Sequence, residues 1–226
     1  MRPFLVVLSS PSGGGKTSIA RRLLEDRDDL GYSVSATTRP MRERERDGID
    51  YHFLTRDDFV HRREAGEFLE WNMHFGNLYG TLRAEVERIL GHGKKAVLDI
   101  EIEGARQIRA SFPNAIHLFV IPPSAAVLID RLVGRNTDAA AAVRERIARA
   151  SEELAAIREY DYAIVNDSLA HAVAQVQAIL DAEGLRVERQ DTLLDAVERM
   201  RRDLAAATDK ISVNLGASPH AHHDTV

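Results

Sequence analysis

The chain has 226 residues, 44% hydrophobic, 29% charged and 6% aromatic, with 30 lysines and arginines against 35 aspartates and glutamates and a net charge of −5. That composition excludes a disordered, collagenous or disulfide-stapled chain, no apolar run reaches the ~20 residues that cross a bilayer, and the acidic balance argues against non-specific nucleic-acid binding, which rests on phosphate neutralisation. With no cysteine there is no disulfide, thiolate metal site or cysteine nucleophile, and the apolar start at Phe4 to Leu8 is too short for a secretory segment, so a cytoplasmic protein without membrane or nucleic-acid partners is expected.

Residues 4–9 form a continuous apolar run that stops at a turn cluster, the pattern of a strand buried on both faces. After Ser10-Pro11-Ser12-Gly13-Gly14-Gly15 a helix follows, with Ile19, Leu23 and Leu24 on one side and Arg21, Arg22 and Glu25 on the other. Strand, glycine loop and helix in this order make half of a βαβ unit. Tyr32 to Thr38 alternates like a half-exposed strand, Tyr51 to Leu54 is a second short one, and aromatics recur at Trp71, Phe75 and Tyr79. Residues 32–95 therefore read as an inserted subdomain with its own small mixed sheet. Strands return at Ala96 to Ile100, Ile116 to Ile121 and Tyr162 to Val165, separated by helical stretches, which predicts a parallel sheet with helices on both faces. The core then comprises about 1–31, 96–125 and 159–184, interrupted by the insertion and by an arginine- and alanine-rich helical segment at about 126–158. Beyond 184, Leu193, Val197, Met200 and Leu204 fall at i, i+4, i+7 and i+11, an amphipathic helix of about five turns or fewer. That helix has two readings, pairing of two subunits into a homodimer or cover for the core. From about 207 large apolar residues thin out, which predicts a disordered end, and His220, His222 and His223 read as part of that solvated end rather than as a metal cluster.

Gly15-Lys16-Thr17 closes the phosphate-loop pattern G-x-x-x-x-G-K-[ST], although Ser10 stands where the strict pattern has glycine. In this device backbone N–H groups face phosphate oxygens, the lysine reaches the β- and γ-phosphates and the hydroxyl ligates Mg²⁺. Such sites need a carboxylate near the metal at the end of a neighbouring strand. Asp99 meets that need, directly or through water, alongside Thr17. The Asn-Lys-x-Asp run with which GTP-binding switch proteins read guanine does not occur. Instead Arg39, Arg42, Arg44 and Arg46, followed by the arginine-rich helical segment, suit two anionic substrates brought together.

These residues belong to a longer ordered series. It runs through Pro11 to Thr17, Ser33 to Pro40 with Arg42, Asp47 to Phe53, Gly66 to Trp71, Tyr79-Gly80-Thr81, Leu98-Asp99-Ile100 and Gly104-Ala105. It continues with Pro122-Pro123-Ser124, Arg131-Leu132, Gly134-Arg135, Arg146, and Tyr160-Asp161-Tyr162 through Val165-Asn166-Asp167. Over residues 4–184 the series resembles the bacterial-type guanylate kinases. The resemblance implies an α/β fold with a P-loop NTPase core, an inserted GMP-binding subdomain and a helical lid, and the reaction MgATP + GMP ⇌ ADP + GDP of purine nucleotide metabolism. It implies that Ser10, Pro11, Ser12, Gly13, Gly14, Gly15, Lys16, Thr17, Ser18 and Asn166 hold ATP. It further implies that Ser35, Arg39, Arg42, Tyr51, Glu70, Tyr79, Thr81, Asp99 and Glu101 hold GMP, and that Lys16, Arg131, Arg135 and Arg146 assist transfer.

The residue chemistry agrees with these roles. A carboxylate such as Glu70 accepts from the N1–H and exocyclic N–H of guanine, while hydroxyls such as Ser35 and Thr81 donate to O6. Adenine reverses that order and would leave buried groups unpaired, a mismatch worth about 10⁴ in discrimination. Arginine forks and phenol hydroxyls suit the GMP phosphate. That phosphate, with a second pKa near ~6, needs no strong general base to accept a phosphoryl group. Glu101 and Glu103 stand where the family usually has aspartate and glutamine, and Arg106 can offset the charge of Glu103. Asn136 replaces a glycine after the lid arginine. Two other readings remain: an interaction module that holds phosphopeptides in the GMP site, and a P-loop kinase acting on a different phosphate acceptor.

Overall fold

The computed structural model describes residues 2–74, 76–133 and 140–216, with side chains for all of these except 140–143 and 209–216. The strands are β1 (Leu5–Ser9), β2 (Leu30–Tyr32), β3 (Ser35–Thr37), β4 (His52–Phe53), β5 (Phe68–His74), β6 (Asn77–Leu82), β7 (Lys95–Asp99), β8 (Ile116–Ile121) and β9 (Tyr162–Val165). The α-helices are α1 (Lys16–Asp26), α2 (Arg56–Glu64), α3 (Arg83–Gly91), α4 (Ile102–Ser111), α5 (Ala125–Val133), α6 (Ala140–Ala155), α7 (Leu169–Gly184) and α8 (Asp191–Gly216). Residues 3–181 form one compact unit, and Arg2 with the described residues from Ala182 onward form another.

In the larger unit a five-stranded sheet runs in the order β2-β7-β1-β8-β9, parallel throughout. The apolar run of β1 follows from its central position. Val6 and Leu8 pack with Ile19 and Leu23 of α1 and Val173 and Val176 of α7, whereas Leu5 and Val7 pack with Val86 and Ile89 of α3 and Ala105 and Ile108 of α4. Both faces are dry, so the strand has no room for alternation. The four-stranded sheet has the order β4-β3-β6-β5, with β3 parallel to β4 and the other pairs antiparallel. Ala36, Phe68, Leu78 and Leu82 cluster there with Phe59 of α2, whose ring stacks on Phe68 at 4.3 Å. The Thr55 side chain caps α2 by accepting from the Asp58 N–H. α5 and α6 meet through Leu128, Leu132 and Ala150.

Two expectations need correction. The strand read at Tyr32 to Thr38 is two strands: Leu30–Tyr32 pairs with β7 of the parallel sheet, and Ser35–Thr37 pairs with β4 and β6 of the mixed one. Apolar alternation runs on through Ser33 and Val34, although the chain changes sheets there. The last helix is also longer than read, 26 residues to Gly216 rather than ending near 207. Ala205, Ala206 and Ala207 are the strongest helix formers, and neither glycine nor proline intervenes before Gly216, so loss of large apolar residues does not end the helix. Leu193, Val197, Met200 and Leu204 are exposed along α8, and Arg2 grips Asp191 at its start at 2.8 and 3.2 Å. No helix among the described residues is long and apolar enough to cross a membrane. Phe75, Gly134, Arg135, Asn136 and the histidines at 220, 222 and 223 lie outside the described residues.

One core group carries a pH prediction. His117 of β8 is 1% exposed, and burial, reinforced by the Arg109 cation, pushes its pKa down to about 4. It is therefore neutral in the fold, while an unfolded chain regains the ordinary 6.5. Its contribution is intact above pH 6.5 and is lost as pH falls toward 4, by up to about 1.4 kcal/mol per pH unit for one proton. In urea melts across that window His117→Phe is expected to lose less stability than wild type; parallel curves would assign the acid sensitivity elsewhere.

Candidate active site

The chain leaves β1 at its carboxyl end, between β7 and β8, the position at which open parallel sheets bind ligands. It then enters α1 through Gly15, which is left-handed at φ 95° and offers no side-chain cap, so the first-turn N–H groups stay open to an anion. A Cβ on Gly15 would lie 2.3 Å from Nδ2 of Asn166, so only glycine fits. That Asn166 nitrogen donates to the Gly14 carbonyl at 3.0 Å. Arg131 of α5 donates to the same carbonyl at 3.4 Å and to the Asn166 carbonyl at 3.3 Å. Ser10, in place of the glycine of the strict pattern, is satisfied internally, its hydroxyl donating to the Pro11 carbonyl at 2.9 Å.

Lys16 donates to Glu101 Oε1 at 2.8 Å and lies 3.7 Å from Asp99 Oδ1. Burial alone would lower the Lys16 pKa, but the two carboxylates outweigh it and hold the ammonium firmly charged. Burial likewise favours protonation of Glu101, and Lys16 overrides it and keeps Glu101 below the usual carboxylate range. Glu101, standing where the family usually has aspartate, thus sets its carboxylate on the lysine. The Thr17 hydroxyl donates to Asp99 Oδ2 at 2.6 Å, while Asp99 Oδ1 is buried without a hydrogen bond. A hydroxyl beside a carboxylate whose other oxygen is met only by the Lys16 charge, without a hydrogen bond, is a hard-oxygen donor set that fits Mg²⁺. Ser18 is exposed next to Thr17.

The mixed sheet lines up three residues far apart in sequence. Ser35 of β3 is paired with Thr81 of β6, and Thr81 with Glu70 of β5. Directly opposed residues share a face, and the Thr81 hydroxyl donates to Glu70 Oε1 at 2.7 Å. Glu70 is 2% exposed and its Oε2 has no hydrogen-bond partner. Burial, only partly offset by Thr81 and augmented by the charge of Glu101, pushes the Glu70 pKa up to about 7. A buried acceptor held beside hydroxyls is built to meet a ligand that brings N–H donors.

Arg39 forks onto Glu45 at 2.8 and 3.0 Å and lies 5.4 Å over the Tyr51 ring. Tyr51 meets Tyr79 edge-on at 6.1 Å. The Arg42 amide also donates to Glu45, at 2.8 Å, while its guanidinium is largely exposed. Arg106 pairs with Glu103 and Glu159, so the extra charge of Glu103 is balanced. Arg146 is half-buried on α6, and Arg135 lies outside the described residues. Three side chains that the sequence reading did not single out join the site or its frame. Glu45 holds the arginines. Glu153 of α6 accepts from the Ser12 N–H at 2.9 Å and from Arg149 at 2.9 Å. Gln107 of α4 bonds the backbone of Trp71. Only Glu45 had a local signal, its place within the arginine cluster.

Comparison with known proteins is consistent across sequence and structure. A family model described as guanylate kinase matches residues 2–183. A guanylate kinase of Symbiobacterium thermophilum is 45% identical over 190 residues, 84% of this chain and 90% of the relative. One from Thermotoga maritima is 42% identical over 204 residues, 90% of this chain and 97% of the relative. The crystal structure of guanylate kinase from Anaplasma phagocytophilum superposes with a TM-score of 0.73 at 32% identity, covering 87% of this chain and 94% of that one.

Proposed function

The chain belongs to the guanylate kinase family of nucleoside monophosphate kinases, and from this premise we propose that it moves the γ-phosphoryl group of MgATP onto GMP, and onto dGMP, giving ADP and GDP. The observation that carries the choice of acceptor is the buried Glu70 carboxylate, with one oxygen on Thr81 and the other unmet. As a carboxylate it accepts from N1–H and the exocyclic N–H of guanine, and Ser35 donates toward O6. Thr81, whose one hydroxyl hydrogen goes to Glu70 in the empty site, turns it to O6 as the base takes its place on Glu70. Adenine would turn its N1 lone pair toward the carboxylate and leave these groups unpaired. Nothing in this recognition uses the ribose 2′-hydroxyl, hence the inclusion of dGMP.

Arg39, Arg42, Tyr51 and Tyr79 hold the GMP phosphate, which displaces Glu45 from Arg39. The loop from Ser10 to Ser18 cradles the ATP phosphates with its backbone N–H groups, Pro11 having none to give, and Asn166 braces that loop. Thr17 and Asp99 would hold the Mg²⁺ of MgATP, which neutralises charge on the β- and γ-phosphates. Lys16, Arg131, Arg135 and Arg146 supply the remaining positive charge to the migrating group. Catalysis is thus alignment and charge neutralisation, with no general base.

A coupled assay with MgATP and GMP, dGMP, AMP or UMP tests the reading. Turnover with the guanine nucleotides is expected. Turnover with AMP alone would overturn the guanine assignment, and none with any acceptor would favour a phosphopeptide-holding module. For the tail, the exposed stripe on α8 supports pairing of two copies. Sedimentation should then show a dimer that Leu204→Glu dissociates, and a monomeric wild type would remove the pairing.

A further inference from the structure

Helix α4 meets the strand that carries Glu70 through two contacts that the phosphoryl transfer itself does not call for. Gln107, in the second turn of α4, holds Trp71 with both ends of its amide: Oε1 accepts from the Trp71 N–H at 3.2 Å, and Nε2 donates to the Trp71 carbonyl at 2.8 Å. Trp71 lies in β5, the edge strand of the mixed sheet, so its outer N–H and C=O have no strand to pair with. The side-chain amide supplies the two-bond exchange that a neighbouring strand residue would give. Three residues earlier on the same helix face, Gly104 turns a bare Cα to the residue before Trp71. A Cβ there would lie 2.3 Å from Glu70 Oε2 and 2.8 Å from its Cδ.

We propose that Gln107 and Gly104 are positioning residues for base recognition: the amide fixes the backbone of β5 beside the core helix, and the missing Cβ leaves the slot in which the Glu70 carboxyl sits. This rests on the reading of Glu70 as the guanine acceptor. Selectivity for guanine then depends on two residues of α4 to which the reading assigns no nucleotide contact. Neither residue is a gap-filler by its own chemistry. Glycine in the first turn of a ten-residue helix weakens that helix relative to alanine, so an unconstrained Gly104 would be a liability.

The test uses the full chain in steady-state kinetics and thermal melts, after the wild type has been shown to turn over GMP, so that failure of the functional reading appears first and separately. In Gly104→Ala the backbone is ordinary helix and the only close neighbour is the movable tip of Glu70, so the variant folds with an unchanged or raised melting temperature. Its KM for GMP is expected to rise about 10-fold or more, with KM for ATP unchanged and the preference for GMP over AMP reduced. Gln107→Met keeps bulk but loses both bonds, and Gln107→Glu keeps the acceptor alone. KM for GMP should rise in the order wild type, Gln107→Glu, Gln107→Met. A Gly104→Ala enzyme with wild-type KM for GMP would overturn the proposal. So would equal losses for ATP and GMP, or Gln107 variants whose only change is a lower melting temperature.

Discussion

Changing Glu70 to glutamine is expected to lower kcat/KM for GMP by about 10³-fold, almost all of it in KM. Glutamine keeps the shape and the partnership with Thr81, but it offers guanine one acceptor and one donor where two acceptors are needed. The same change should stabilise the empty protein. Burial raises the Glu70 pKa from 4.5 to about 7, which costs about 3 kcal/mol once the group is ionised. The sign is that of an acid whose folded pKa lies above its unfolded one: the penalty is full above pH 7 and disappears as pH falls toward 4.5. Urea melts in mildly alkaline buffer should therefore favour Glu70→Gln over wild type, and the gap should close in acid. Kinetics should move oppositely in the wild type, KM for GMP rising as the pH drops through about 7 and the carboxyl protonates. A variant with wild-type KM for GMP, or one that melts earlier at alkaline pH, would contradict this account.

The second large effect concerns Lys16. Lys16→Met should reduce kcat by about 10³-fold, the scale on which a single positioned donor at a developing charge acts. KM for GMP should change far less than kcat, because Ser35, Glu70 and Thr81 lie on the mixed sheet, and Lys16 reaches only the Asp99 and Glu101 side of the acceptor site. Methionine also leaves Asp99 and Glu101 without the cation between them, so the melting temperature falls and the Glu101 pKa climbs. Lys16→Arg tells charge from geometry: a planar fork cannot replace a compact ammonium, so activity should remain low while the melting temperature recovers. Activity restored by arginine would reduce the role of Lys16 to bulk electrostatics.

The parallel core was legible because its cause is local. Residues 4–9 are apolar without interruption since both faces of β1 are covered, and the glycine loop announces itself through spacing. The recognition row was legible only through resemblance. Ser35, Glu70 and Thr81 have no periodic relation, and strand register alone brings them side by side. Contacts such as Ser12 with Glu153, 141 residues apart, and Trp71 with Gln107, 36 apart, leave no trace in composition or period. Each depends on where one helix lands against one strand or loop. The sheet change after Tyr32 leaves no mark in the sequence, because alternation records exposure and not the partner strand.

The Glu153 carboxylate already occupies the Ser12 amide, and Arg149 steadies it there. An amide has one hydrogen to give. Any nucleotide oxygen that claims it must evict a tethered rival, and the evicted side chain belongs to the helix bearing Arg146. On the proposed reading, the empty loop keeps an anion of its own until the triphosphate takes its place.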